Sequence, residues 1–228
     1  MLIVRRLQGR DVTADFAAWL RAVFDHPASE PEWYWAEDFD DKWEALGLSD
    51  PLIVEYMTRL FRDPSPLRAF SLPQVAQSIW FLVGEASPAQ PCYTLFQATV
   101  PIEARVACVA SIPHFFRLFV APSAPGPAAT DSDPFHTACY MWWDIFPSWG
   151  RADVGEPAIH LACLHAMVDI LECDSELCRL SALHGLNHWH MHYPREVEGA
   201  IDAFLERTPA ISPRLRDYAE TAREGCAQ

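Results

Sequence analysis

A proline directly after a helix-capping residue recurs along this chain and divides it into short helices with clear starts. A Ser or Asp side chain accepts hydrogen bonds from the first N–H groups of a helix. Proline fits the first helical turn because its missing N–H would have had no partner there. Three such pairs predict helix starts: Asp50-Pro51, Asp133-Pro134 and Ser212-Pro213.

Between these starts, apolar residues recur every three to four positions, which is the spacing of one face of an α-helix. Leu52, Tyr56 and Leu60 share such a face, for example. The spacing predicts helices over residues 12–25, 51–62, 72–83, 101–120, 134–146, 157–172, 175–191, 194–207 and 213–225. A bend or break is expected at Pro113. No convincing strand alternation is present, so residues 1–228 are predicted to form one all-α domain.

The order of these helices predicts a more specific architecture. The last four form two pairs of roughly 35–40 residues, and 51–62 with 72–83 forms a similar pair. Helix hairpins stacked at this period build solenoids. We therefore expect irregular HEAT/armadillo-like stacked helix hairpins, with a compact helical bundle as the alternative. Residues 121–134 have no aromatic residue and no helical pattern, which predicts a flexible loop.

The charge of the chain disfavours one class of partner. Thirty-one acidic residues against 17 basic ones give a formal net charge of −14, and Lys42 is the only lysine. Such a surface repels phosphate backbones, so nucleic acid is not expected as a partner. A protein with a basic surface is the complementary expectation.

Two further patterns predict where the protein resides. No uninterrupted apolar run approaches the roughly 20 residues of a membrane-spanning helix, and the N-terminus lacks the apolar region of a secretory signal. The seven cysteines form no zinc-finger spacing and mostly fall in apolar helical stretches, which predicts buried, reduced thiols. We expect a cytoplasmic protein without a membrane partner.

Four histidines fall within nine residues of the segment SALHGLNHWHMHYP. His184 and His188 are four residues apart and share one helix face, which is a natural spacing for a metal-ligand pair. His190 points to a different side, and His192 joins the stripe only if the helix continues. The HGLNH core lacks the glutamate of the HExxH signature of zinc hydrolases.

The histidine segment therefore leaves two interpretations open. The first is a seam of inter-helix hydrogen bonds made by His184, Asn187 and His188 beside Trp189. The second is a ligand pocket, and a metal there would need ligands from elsewhere in the chain. Cys178 or His160 could supply one, although no spacing favours either of them. The sequence by itself predicts no cofactor.

The segment EWYWAEDFDDKWEAL interleaves aromatic and acidic residues. The spacing favours a packed stripe of Trp35, Phe39 and Trp43 with the acids in water. The alternative is a protein-binding face, since aromatic rings among carboxylates suit an Arg- or Lys-rich partner. That face would consist of Trp33, Trp35, Asp38, Asp40, Asp41 and Trp43.

Asp144 is the only charged residue in the apolar segment CYMWWDIFPSWG. A carboxylate buried there has to be paired, hydrogen-bonded or protonated. Arg117 and His136 are candidate partners. The apolar surroundings favour a structural role over that of an active-site acid.

The segments YMWWDIFP, SALHGLNHWHMHYP and SLPQVAQSIWFLVG resemble those of a family of uncharacterised bacterial proteins with HEAT-like helical organisation. The resemblance runs from about residue 33 to the end of the chain. It implies a bacterial, cytoplasmic protein. It implies no catalytic role, because no activity is established for the family.

Two functions from different classes remain. The first is a non-enzymatic helical module that binds another protein through an acidic, aromatic-rich surface. An immunity- or antitoxin-like protein that masks a basic partner is a specific version of it. The second is a small-molecule or metal-dependent enzyme whose pocket collects His184, His188 and Asp144. The oligomeric state is left open.

Overall fold

Helices form all of the regular secondary structure in the part of the chain that the computed structural model describes, residues 14–84, 90–127, 133–148, 150–151 and 156–227. The predicted all-α class is confirmed. The α-helices are α1 (Phe16–Phe24), α2 (Phe39–Glu44), α3 (Asp50–Arg62), α4 (Leu72–Val83), α5 (Ile102–Val109), α6 (Ile112–Phe115), α7 (Ala121–Ser123), α8 (Pro134–Tyr140), α9 (Pro157–Leu171), α10 (Glu176–Trp189), α11 (Pro194–Arg207) and α12 (Pro213–Arg223). Short 3-10 helices lie at Trp33–Trp35, Ser65–Ala69, Pro91–Phe96 and Met141–Trp143, and a π-helix spans Phe116–Val120.

The capping residues explain where several helices begin. Asp133 Oδ1 accepts from the N–H groups of Phe135 and His136 at 2.8 and 3.0 Å. Ser212 Oγ accepts from the N–H of Leu215 at 3.2 Å. Helix α3 begins one residue earlier than predicted, so Ser49 is its N-cap residue and Asp50 lies in the first turn. A carboxylate in that turn is favoured by the helix dipole.

Two segments differ from the sequence prediction. The helix expected over residues 134–146 ends as α8 at Tyr140 and continues only as the 3-10 helix Met141–Trp143. The loop expected over residues 121–134 begins with helix α7, and residues 128–132 of it lie outside the described part of the chain.

The apolar stretch predicted over residues 101–120 is broken by a turn at residues 110–111, and Pro113 then lies in the first turn of α6. The whole stretch Ile102–Ser123 is long and apolar enough to cross a membrane by length and composition. Half of its most apolar window is buried inside the protein. One such stretch is weak evidence for a membrane span, because the core helix of a soluble protein meets the same criterion.

Helix α10 lies at the centre of the C-terminal half of the fold. It contacts α8, α9, α11, α12, the 3-10 helix Met141–Trp143 and the π-helix Phe116–Val120, and 11 of its 14 residues are buried. In a solenoid, each repeat contacts only its neighbours along the chain. Here a single helix is surrounded by six elements, which is the arrangement of a bundle.

The N-terminal helices also pack against distant partners. Helix α3 packs mainly on α5 and α6, and α4 packs mainly on α8 and α1, so the expected α3–α4 hairpin is not the main contact of either helix. The expected pairs α9–α10 and α11–α12 are in contact. HEAT-like stacking is therefore not confirmed, and the alternative of a compact helical bundle fits the packing.

Aromatic side chains connect these helices in one hydrophobic cluster. Trp142 is fully buried among Phe61 of α3, Phe115 of α6 and Phe116 of the π-helix, with ring centroids 5.3–5.8 Å apart. Six of the seven cysteines are buried and only Cys226 is exposed, as the apolar setting of most cysteines predicted.

Gly185 marks a close approach between α10 and the rest of the core. A Cβ atom at this position would lie 2.6 Å from both Met167 Sδ and Trp143 Cβ. We expect Gly185→Ala to lower the free energy of unfolding by about 2 kcal/mol because it overpacks the contact.

Gly199→Ala in α11 is the matched control, since nothing lies within 4 Å of its Cβ position. It should raise that free energy by up to about 1 kcal/mol through helix propensity. Urea denaturation measures both, and equal effects would contradict the described contact.

Candidate metal centre

Three side chains with metal-binding donor atoms converge beside the C-terminal half of α10. His184 and His188 share one face of this helix, and Asp144 directly follows the 3-10 helix Met141–Trp143. His188 Nε2 lies 3.1 Å from Asp144 Oδ1 and 3.3 Å from His184 Nε2. Donor atoms of all three residues lie within 4.8 Å of one another.

The local sequence explains why Asp144 reaches the two histidines. Trp143, its neighbour, is fully buried and lies directly over Gly185, the neighbour of His184. Because Gly185 has no side chain, the backbone that carries Asp144 approaches α10 closely. The i, i+4 spacing then places His188 next to His184 on the same face.

Two tyrosines hold the ring of His184 from the other side. Tyr218 of α12 places its hydroxyl 2.8 Å from His184 Nδ1, and the hydroxyls of Tyr218 and Tyr140 are also 2.8 Å apart. The ring of Tyr140 stacks on the His184 imidazole at a centroid distance of 4.1 Å. When Nδ1–H donates to Tyr218, the Nε2 lone pair faces His188 and Asp144, as in metal sites whose histidines are oriented by an outer hydrogen bond.

Burial keeps the side chains of His184 and Tyr218 uncharged. Burial first, and the neighbouring charge of His188 second, lower the pKa of His184 to about 4. Its imidazole is therefore neutral at pH 7, which is the form that binds metals. Burial, followed by the hydrogen bond with Tyr140, raises the pKa of Tyr218, so its hydroxyl stays protonated.

The outer end of the cluster is open. The side chains of His188 and Asp144 are 29% and 23% exposed, whereas His184 is buried. An ion that bound between the three donor atoms would thus be held on its inner side by His184. Solvent or a small molecule would reach it past His188 and Asp144.

Either one proton or one cation can link the donor atoms of this junction. His188 Nε2 faces a carboxylate oxygen and a second imidazole nitrogen, and it carries one proton at most. That proton can be shared between Asp144 Oδ1 and His184 Nε2. A cation would instead contact all three donor atoms directly.

The distances also fit a tetrahedral ion. Zinc–nitrogen bonds of about 2.0–2.1 Å separate two tetrahedral ligands by about 3.3–3.4 Å. The two contacts of His188 Nε2, at 3.1 and 3.3 Å, come close to that separation. The donor atoms of Asp144 and His184 lie within 4.8 Å of each other and would have to approach to the same separation to complete the arrangement.

Asn187 and Trp189, the other residues of the predicted seam, have structural roles. Asn187 donates from Nδ2 to the carbonyl oxygen of Ala227 at 3.0 Å and accepts from the Ala227 N–H at 2.9 Å. It therefore fixes the C-terminal end of the chain to α10. Trp189 is fully buried and stacks on Tyr193. Neither side chain contributes to the donor cluster.

The remaining two histidines lie outside the cluster. Helix α10 ends at Trp189, so the condition that would have placed His192 on the stripe is not met, and His192 is exposed in the following turn. His190 is the C-cap residue, and its Nε2 lies 3.3 Å from Glu198 Oε1. It points away from His184, as the helical spacing predicted.

Neither of the two extra ligands considered from the sequence is part of the group. His160 Nδ1 lies 2.9 Å from the hydroxyl of Tyr193, and Cys178 Sγ faces the carbonyl oxygen of Phe116 at 3.8 Å. For Asp144, the sequence offered Arg117 or His136, whereas the structure places its Oδ1 3.1 Å from His188 Nε2.

The acidic aromatic segment is divided between the core and the surface. Trp43 packs on Phe81 at a centroid distance of 5.2 Å, and Phe39 does so at 5.3 Å. Trp33, at 4.9 Å, and Tyr34, at 5.6 Å, also pack on Phe81. Trp35, which the helical spacing placed on this stripe, contacts Tyr34 instead. Trp35 is 52% exposed, because the segment turns as a 3-10 helix there instead of an α-helix.

The acidic residues of this segment face water, as expected. Asp38, Asp40 and Asp41 are all exposed, and Asp38 forms an ion pair with Lys42 at 2.8 Å. The exposed part of the predicted protein-binding face therefore comprises Trp35 and the three aspartates. Trp33 and Trp43 are half-buried and serve mainly to attach the segment to α4.

No family model, curated protein or solved structure matches this chain. The resemblance to HEAT-like bacterial proteins therefore stays a prediction.

Proposed function

We propose that this protein binds a divalent transition metal ion through His184 Nε2, His188 Nε2 and one carboxylate oxygen of Asp144. The observation that carries the proposal is the convergence of these three donors, two of whose contacts measure 3.1 and 3.3 Å. Two imidazoles and one carboxylate suit Zn²⁺, whereas Ca²⁺ and Mg²⁺ prefer oxygen ligands throughout. Zinc is accordingly the ion assigned to the site.

The number of ligands indicates how such an ion would be used. Structural zinc sites are closed by four protein ligands, whereas catalytic sites keep a position for water or substrate. Among the described residues, three donors form the group, and it is open to solvent at His188 and Asp144. Zinc in such a site lowers the pKa of bound water to about 7. Metal-assisted hydrolysis is therefore the reaction class that this arrangement supports best.

Metal analysis of the purified full-length chain tests the proposal. We expect one Zn²⁺ per chain by mass spectrometric metal analysis and by calorimetric titration of the metal-free protein. His184→Ala, His188→Ala and Asp144→Ala should each lose this stoichiometric binding. His192→Ala is the matched control, since that exposed histidine lies outside the cluster.

The outcomes of that experiment are distinct. Zinc binding that survives all three substitutions, or no stoichiometric binding by the wild-type chain, would contradict the proposal. Stoichiometric iron in place of zinc would keep the site but change its chemistry, because two histidines and one carboxylate also hold iron in non-haem oxygenases. Circular dichroism of each variant establishes that the loss of metal is not a loss of fold.

Tyr218 should tune the metal affinity without touching the ion. Tyr218→Phe removes the hydroxyl that contacts His184 Nδ1 but keeps the aromatic ring. Loss of such an outer partner typically weakens metal binding about 10–100-fold. Tyr140→Phe, which keeps the stacked ring and the Tyr218 hydroxyl, should have a smaller effect. Competition with a coloured chelator measures both affinities, and equal affinities for Tyr218→Phe and wild type would contradict this role.

A second candidate function, protein binding, is favoured by the acidic surface near the N-terminal helices. A cavity of about 530 Å³ is lined by residues that include Glu30, Glu32, Asp133 and Trp80. None of the described residues that line it is basic. Such a cavity suits a Lys or Arg side chain of a basic partner, including the toxin-like partner of an immunity protein.

An oligoarginine peptide is a suitable probe for this surface. The double substitution Glu30→Gln and Glu32→Gln should weaken peptide binding, and added salt should weaken the wild-type interaction because exposed charges are screened. The matched control is the double substitution of two exposed carboxylates on other helices, Glu55→Gln and Glu206→Gln. Equal loss in both double variants would show attraction by net charge only and would contradict a specific site. Fluorescence anisotropy of a labelled peptide provides the measurement.

A further inference from the structure

A groove lies between α9 and α11, on the side of α10 that faces away from the proposed metal centre. It has a volume of about 320 Å³. Leu186 of α10, which is fully buried, lines it together with residues of both flanking helices. Leu186 is two residues from His184 and two from His188, so at about 100° per residue it points to the opposite side of α10. The groove is therefore separate from the donor cluster.

The sequences of the two flanking helices explain why this space is open and apolar. On α9, the groove is lined by Leu161, Leu164 and Val168, which have the three- to four-residue spacing of one helix face. On α11, it is lined by Ala200 and Ala203. Alanine side chains end at Cβ, so α11 does not fill the space in front of the larger α9 side chains. Leu161 is 46% exposed as a result.

The volume of the groove suits a small organic ligand. Ligand pockets have volumes of about 300–1,000 Å³ and are mainly apolar with a few polar groups. An apolar cavity of about 150 Å³ encloses one benzene molecule, which has six carbon atoms. The groove has about twice that volume, so it accommodates roughly ten to twelve carbon atoms.

Glu196 and Arg207, which also line the groove, lie near opposite ends of α11. The separation along the helix axis is about 16 Å, at about 1.5 Å per residue. Arg207 forms an ion pair with Glu172, the residue that follows α9, so its guanidinium is held where α9 and α11 end. His165, the remaining polar lining residue among those described, is exposed on α9.

These end groups favour a ligand with a carboxylate at one end only. The guanidinium of Arg207 has five N–H groups in a planar fork that matches a carboxylate, and it donates to Glu172 from Nη2. At the other end, Glu196 would repel a carboxylate. The net charge of −14 acts weakly against this contact, because the Debye length is only about 8 Å at physiological ionic strength.

We propose that the groove between α9 and α11 binds a medium-chain fatty acid, with the carboxylate on Arg207 and about ten to twelve carbon atoms along the apolar lining. The chain of the ligand lies over Leu186 and between the leucines of α9 and the alanines of α11. The site shares no residue with the proposed metal centre, so failure of one proposal leaves the other unaffected.

Calorimetric titration of the full-length protein with sodium decanoate tests the proposal. We expect one decanoate molecule to bind per chain. From hexanoate to decanoate, the affinity should rise about fourfold for each added CH₂, which is the effect of burying one such group. Decanedioate should bind at least about tenfold more weakly than decanoate, because its second carboxylate would face Glu196.

Two substitutions in α11 test where the ligand lies. Ala203→Leu fills the groove and should abolish binding. Arg207→Gln removes the partner of the carboxylate and should weaken binding about 10–100-fold. The matched controls are Gly199→Leu and Arg195→Gln, which make similar changes in α11 outside the lining of the groove. Both controls should bind decanoate as the wild type does, and circular dichroism establishes that each variant is folded.

Measurements on the wild-type chain keep the proposal testable if a variant fails to fold. Tighter binding of decylamine than of decanoate would place the head group at Glu196 and overturn the assignment to Arg207. No binding of decanoate at millimolar concentration would overturn the site, as would binding that a folded Ala203→Leu variant retains. A dimer in analytical ultracentrifugation that Ala203→Leu dissociates would assign the groove to a second copy of the chain, which would also overturn the proposal.

Discussion

The close contact between Gly185 and Trp143 determines the geometry on which the candidate metal centre depends. A Cβ at Gly185 would lie 2.6 Å from Trp143 Cβ, so the backbone before Asp144 rests directly on α10. Trp143 itself is fully buried and cannot move without loss of core packing. The packing of these apolar neighbours therefore brings the carboxylate of Asp144 close to His188.

The donor cluster has a buried end at His184 and a solvent-accessible end at His188 and Asp144. At the buried end, Tyr218 and Tyr140 fix the His184 ring, whose lowered pKa keeps it neutral. At the open end, His188 and Asp144 are partly exposed. A hydrogen-bonded seam between helices would explain the contact of His184 with Tyr218. The proposed metal ion would in addition contact the donor atoms of Asp144 and His188, which lie within 4.8 Å of that of His184.

Local features of the fold were predictable from the sequence because they depend on neighbouring residues. The caps Asp133 and Ser212 and the paired spacing of His184 and His188 are of this kind. The tyrosines behind His184 were not predictable, since Tyr218 lies 34 residues further along the chain and no spacing connects the two. Long-range packing likewise favours a bundle over a solenoid, because contacts such as that between α4 and α8 have no signature in either helix.

Two individual errors have clear physical causes. Trp35 was placed on the packed stripe because α-helical spacing was assumed before residue 39, where the chain forms a 3-10 helix and Trp33 takes the core position instead. Asn187 was grouped with the histidines because it shares their helix. Its amide instead pairs with the backbone of Ala227, which only the folded position of the C-terminus reveals.

X-ray absorption at the zinc edge of the zinc-loaded protein tests the central claim most directly. The proposed site predicts a first shell of only nitrogen and oxygen ligands at about 2.0–2.1 Å. It also predicts outer-shell scattering from two imidazole rings, those of His184 and His188. A sulfur ligand at about 2.3 Å would place the ion on a cysteine and contradict the account. The absence of imidazole scattering would contradict it equally.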